Sequence, residues 1–189
     1  MLTILEAIPL SAFLLYIRNI DTEIPQNWEA PFIISGLMVL IVIIFFLYRK
    51  ILFNRILLGI NIYLLCGGMA FITHQWWLNR LYDTLQASGM LLLIIITGIL
   101  SIFLSSKGFI GANSPDKKNV KRFSVYLLLC SVFAFAISFG FRGSRILSEL
   151  VPFIGLFFFQ SLLKRRLAKK VMNLFHNQPV RGMEKDRRL

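Results

Sequence analysis

Three ionisable side chains stand in or at the edge of long apolar runs, where a group that can carry charge is a candidate for chemistry: Glu6, His74 and Glu149. Glu6 and Glu149 each open the same short pattern, Glu-x-(Ile/Val)-Pro, ending on Pro9 in LEAIP and on Pro152 in SELVP. Carboxylates within a membrane can act as proton carriers. The competing reading is structural. Both lie within a turn or two of an expected helix start, where they are expected to be wet. Glu6 follows Thr3 at capping-box spacing, and Glu149 follows Arg145 at the four-residue spacing of an ion pair. The structural role is favoured for each. His74, beside Gln75, stands just where its apolar run ends, and histidine is a residue type used in proton relays and metal binding. An interfacial or packing role is favoured there, ahead of proton or ligand chemistry and then a metal. The only other histidine is His176, in the basic tail, so a His-rich metal site within the chain is not expected.

No His, Asp, Glu or Cys cluster has catalytic or metal-ligand spacing. No catalytic residue, bound metal or cofactor is therefore expected. Cys66 and Cys130 each lie inside an apolar run and read as buried thiols rather than as a disulfide.

The elements that position these residues are membrane helices. Of the 189 residues, 57% are hydrophobic and 16% charged, against about 45–50% and 25% in soluble domains. Mean hydropathy is +0.70. The apolar runs are about eighteen residues long, the length that crosses a hydrocarbon core about 30 Å thick. The expected fold class is all-α: a polytopic transmembrane helical bundle with spans near 2–17, 32–48, 56–73, 87–106, 123–141 and 146–163. If the short first segment, interrupted by Pro9, is re-entrant, five spans remain. A cleaved signal peptide is not expected, because the N-terminal run lacks Lys and Arg and has no small-residue cleavage site.

Inside the third run, Gly67 and Gly68 read as a close helix crossing, with a broken transporter helix as the alternative. Asn61 reads as an interhelical hydrogen-bonding residue. Ala134/Ser138 and Ala136/Gly140 form small-xxx-small pairs in the fifth run. Trp76 and Trp77 suit the membrane–water interface, with 78–86 lying along it. Residues 107–122 read as the clearest loop.

The net charge of +12 would suit nucleic acid, but its distribution does not. Basic residues fall in short loops and one tail, between apolar spans. Three lie at 49–55, five at 107–122 and nine from Lys164 onward, so 17 share one side; Arg18, Arg80, Arg142 and Arg145 are left for the other. The positive-inside rule puts the richer side in the cytoplasm, with the C-terminus. The tail, 164–189, reads as a basic amphipathic segment with an apolar face through Leu167, Val171, Leu174 and Phe175. Its cluster Lys164, Arg165, Arg166, Lys169 and Lys170 suits anionic lipid headgroups on the inner leaflet, with partner docking second.

Two motifs carry a family resemblance. LEAIPLSAFLLY, residues 5–16, resembles the opening of the intracellular septation protein A family of bacterial inner-membrane proteins, in which an acid-x-x-Pro-Leu begins the first span. GGMAFITH, residues 67–74, is similar to that family's Gly-Gly-x5-His. The order of elements agrees over residues 5–111; beyond that only the spans and a basic end do. The resemblance implies a non-enzymatic cell-envelope protein of the bacterial inner membrane, linked to division and wall-synthesis proteins as partners. Glu6, Pro9, Gly67, Gly68 and His74 would be its signature positions. This sequence departs from the family in Gln75 and the two tryptophans after the histidine, in its long basic tail, and in a count of five or six spans where five are usual. A homo-oligomer remains open, as does a rival function as a small proton-coupled transporter or channel using Glu6, Glu149 or His74. A lipid-modifying enzyme is disfavoured.

Overall fold

The computed structural model describes residues 2–21, 24–112, 114, 116–142, 144 and 146–176. Among these all regular structure is helical: α1 (Leu2–Ile17), a 3-10 turn (Pro25–Trp28), α2 (Glu29–Tyr48), α3 (Arg55–Ile72), α4 (Trp76–Leu85), α5 (Ala87–Leu104), α6 (Lys117–Gly140), a π-helical turn (Ile146–Leu150) and α7 (Val151–His176). Five of the helices are long and apolar enough to cross a membrane; α1 is shorter. At 16 residues α1 is roughly 24 Å long. It packs along α2 and α3. Its Glu6 end meets the α2–α3 connection, and its Phe13 packs on Trp28 and Phe32 at the start of α2.

The bundle is organised around α3, which packs on α1, α2, α4 and α5. Its apolar window is 56% buried, against 28–39% in the other four long helices. Two glycine contacts make this possible. On one face, a Cβ at Gly68 would stand 2.7 Å from the Phe32 carbonyl oxygen of α2, and one at Gly67 would enter the Phe32 ring. On another, a Cβ at Gly59 would lie 2.7 Å from the Ile94 Cα of α5. No side chain fits between backbones this close. The helix runs unbroken through Gly67 and Gly68, without the interruption of a transporter half-helix.

Successive helices α5, α6 and α7 pack side by side beyond α3. On α6 the buried residues Val120, Ser124, Leu127, Ser131, Ala134 and Ser138 alternate at four and three residues, the seam of a coiled coil. Ala134 and Ser138 thus face the bundle. Ala136 and Gly140 are exposed, and a Cβ at Gly140 would meet nothing. The large apolar side chains left outside, among them Ile41, Phe103, Phe133 and Phe158, would be anomalous in water. On membrane helices they are the lipid-facing surface.

Three expectations need correction. The stretch 107–122 is not simply a loop: α6 already begins at Lys117, capped by Asp116. Phe109 and Ile110, between the helices, are fully buried. Gly108 takes a left-handed φ of +57° against Ser124, whose Oγ accepts the Ile110 N–H at 3.2 Å, so the chain turns Phe109 and Ile110 into the bundle. Second, the helix of the last span does not stop at residue 163. α7 continues to His176, because 164–170 contains no helix breaker and Leu163 and Leu167, one turn apart, are both buried. The side chains of Val171, Leu174 and Phe175 lie outside the described residues. Third, Glu6 is not wet; it is 2% exposed.

Asp116 accepts the Asn119 N–H at 3.0 Å and also its side-chain amide. These bonds hold the Asp116 carboxyl below its ordinary value of 3.8. A depressed folded pKa stabilises α6 above pH 3.8, and the effect is lost as pH falls through the lower folded value. Protection of the Asn119 amide, taken relative to the intrinsic exchange rate at each pH, is expected to fall in that acid window, and in Asp116→Ala at neutral pH. Unchanged exchange in the variant would remove the cap from the description.

Candidate functional site: the polar junction of α1, α3 and α7

Asn54 is the N-cap of α3, its side-chain oxygen accepting the Ile56 N–H at 3.2 Å. Capping leaves the Asn54 N–H itself to be satisfied. Glu6 does this from α1: both carboxylate oxygens lie 3.0 Å from that nitrogen. A carboxylate at a helix N-terminus is also favoured by the helix dipole. The Asn54 amide is then engaged from α7, where Gln160 Nε2 donates to Asn54 Oδ1 at 2.9 Å and Gln160 Oε1 accepts from Asn54 Nδ2 at 3.4 Å. Deeper in the bundle, Asn61 Nδ2 donates to the Glu6 carbonyl oxygen at 3.1 Å.

The positive charges acting on the Glu6 carboxylate are those of Lys164, on α7, and Arg55. Arg55 Nη2 also donates to Ser105 Oγ at 3.2 Å, just beyond α5. One buried carboxylate and three side-chain amides, those of Asn54, Asn61 and Gln160, therefore join α1, α3 and α7 toward one end of the bundle. Two buried polar atoms there, Asn61 Oδ1 and Arg55 Nε, have no hydrogen-bond partner.

The three ionisable candidates do not converge. Glu6 sits at the first residues of α3 and His74 just past the last, about 27–30 Å apart along the axis. Glu149 is exposed in the π-helical turn, about 20 Å along α7 from Lys164. Arg145, its expected ion partner, and the Thr3 side chain of the expected capping box lie outside the described residues. Pro152 is buried in the first turn of α7, and Pro9 is buried within α1. Cys66 and Cys130 are free thiols. Among the described residues no three His, Cys, Asp or Glu side chains gather as a metal site.

His74 has a backbone role. Its φ is +53°, and its N–H and that of Gln75 close onto Phe71 and Ala70 carbonyls at 3.2 and 2.9 Å. That is a Schellman ending with histidine where glycine is usual. The exposed ring stacks on Trp76, 5.9 Å between centroids. A left-handed residue with a side chain costs about 1–2 kcal/mol, so His74→Gly is expected to stabilise the protein by about 1 kcal/mol. Denaturant titration in mixed micelles checks this; a loss of stability would mean that the ring contributes more than the backbone.

Beyond His74, α4 turns its Tyr82 inward, the phenol donating to the Tyr63 carbonyl oxygen at 3.0 Å, and burial pushes the Tyr82 pKa up. Trp76 and Trp77 remain exposed. Phe32, seated on Gly67, contacts the rings of Phe13, Trp28, Tyr63, Phe71 and Tyr82, so this end of α1–α4 closes on an aromatic cluster.

Of the basic cluster, Arg165, Arg166, Lys169 and Lys170 are exposed and Lys164 is half-buried beside the polar junction. Lys170 Nζ donates to Asn119 Oδ1 of α6 at 3.0 Å. With Asn54, Arg55, Ser105 and Lys164 in one junction, the basic ends of α2–α3, α5–α6 and α7 share one end of the molecule.

Asn54 and Gln160 were not singled out from the sequence. Asn54 carried a usable signal, an Asn immediately before an apolar-periodic run; Gln160 offered only a lone amide in an apolar stretch.

Together these features define a polytopic helical membrane protein fastened by buried polar pairs and glycine contacts. No known protein family, curated protein or solved structure matches the chain.

Proposed function

We propose that the protein is a multi-pass component of the bacterial inner membrane and cell envelope, akin to the septation proteins its motifs resemble, acting without catalysis through contacts with lipid and with division or wall-synthesis membrane proteins. The observation that carries this reading is the structural work of the five signature positions. Glu6 holds the N-terminus of α3; Pro9 is buried in α1; Gly67 and Gly68 seat α3 on Phe32; His74 closes α3. A motif set that fastens α1 to α3 suits a framework presented to partners. The charge bias supports a basic end, with the C-terminus, on the cytoplasmic side.

A second reading has one observation behind it. Glu6 is an ionisable group almost fully buried among apolar helices, with two cations acting on it, as in a proton-coupled transporter. One experiment separates the two. Glu6→Gln, Glu149→Gln and His74→Ala are tested for function in cells and for proton flux in proteoliposomes, with membrane insertion verified. A scaffold retains function without flux. Loss of function together with loss of a measured flux establishes transport and overturns the scaffold.

A further inference from the structure

The same basic pattern occurs on two neighbouring helices. α6 opens with KKNVKR from Lys117, and α7 carries RRLAKK from Arg165; each places two basic doublets one turn apart. All eight side chains are exposed. One residue between the doublets on each helix points the other way: Val120 and Leu167 are buried in the bundle. The two patterns lie together because α6 and α7 pack on each other and Lys170 is bonded to Asn119.

Like charges one helical turn apart repel, so this face is stabilised by an anion that bridges it. Its depth identifies the kind. Just inside the basic pattern on α6 the exposed face becomes Val125, Tyr126 and Leu129, and on α7 it leads back to Phe158. Arg122 folds onto Tyr126, its Nε donating to the phenol at 2.8 Å. A ligand here meets cations at its head and an apolar wall along its tails, the profile of a membrane phospholipid rather than of a soluble anion.

We propose that the α6–α7 seam binds an acidic phospholipid with two phosphodiester groups, one phosphate on the α6 doublets and the other on those of α7. This rests on the reading that the basic end faces an anionic leaflet, and it adds a defined site and headgroup. Two phosphates on one molecule gain from being linked: once the first is held, the second is at high effective concentration over the facing helix. A singly charged lipid neutralises only one side.

The test uses the full chain, purified and reconstituted in nanodiscs of phosphatidylcholine containing either diphosphatidylglycerol or phosphatidylglycerol at equal total charge. Lipid retained after exchange into detergent is read by native mass spectrometry. Each basic residue near an anionic surface changes affinity about fivefold, so K117Q/K118Q, or separately R165Q/R166Q, is expected to reduce retention of the two-phosphate lipid at least about tenfold. Arg80→Gln, on α4, serves as the control and leaves retention unchanged. Equal retention of the two lipids, or variants that retain as the parent does, overturns the site. These substitutions are on exposed positions, and helix content by circular dichroism verifies folding. A reporter fused after Leu189 reads the orientation independently. A basic end facing inward with no lipid preference defeats the site alone, whereas an outward-facing end defeats the orientation on which it rests.

Discussion

Glu6→Ala is expected to destabilise the helix bundle by about 3 kcal/mol, the loss typical of removing one member of a buried charged group while its partners stay. The substitution leaves the Asn54 N–H without its acceptor and Lys164 and Arg55 without the anion that offsets them. Glu6→Gln keeps an acceptor oxygen for Asn54 and should lose about 1 kcal/mol, the scale of one hydrogen bond. Reversible unfolding in mixed micelles measures both. If Glu6→Ala proves neutral, the junction does not hold α1 to α3. A double-mutant cycle with Gln160→Leu gives a further check, since both residues act on Asn54 and their effects should not add.

The second large effect is at the glycine contacts. Gly68→Ala is expected to cost about 2 kcal/mol. The gain in helix propensity, about 1 kcal/mol, is outweighed because the new methyl meets the Phe32 carbonyl at 2.7 Å, a backbone atom that moves only with α2. Gly59→Ala should behave alike against Ile94 of α5. Gly155 is the internal control. It lies in α7 with nothing within 4 Å of an added Cβ, so Gly155→Ala should stabilise by about 1 kcal/mol. A common sign at Gly68 and Gly155 would show that propensity, not helix approach, governs these positions.

Much of the architecture was legible because membrane helices announce themselves in consecutive apolar residues. The third run, with its paired glycines and Asn61, was readable as a packed helix before its neighbours were known. What could not be read was partnership. Glu6 and Asn54 are 48 residues apart, and Asn54 and Gln160 are 106 apart; nothing local in a single sequence ties such pairs. For the same reason Glu6 was expected to be wet: its place near a helix start says nothing of the α2–α3 connection that covers it. Phe109 and Ile110 were hidden by their setting, since glycines, Lys107 and Pro115 around them read as a surface loop. The basic residues after Leu163 suggested a separate tail because charge usually ends a span. Here half-buried Lys164 lies beside the buried junction and Lys170 bonds to α6, so the helix simply continues.

The proposal that this protein works through membrane partners is tested most directly by crosslinking in intact membranes with a tagged copy of the chain. The expected result is that division or wall-synthesis membrane proteins are recovered with the parent and with Glu6→Gln, and are lost in Gly68→Ala, where the α2–α3 framework is disturbed. Recovery of the protein alone, or only with further copies of itself, would contradict the scaffold reading.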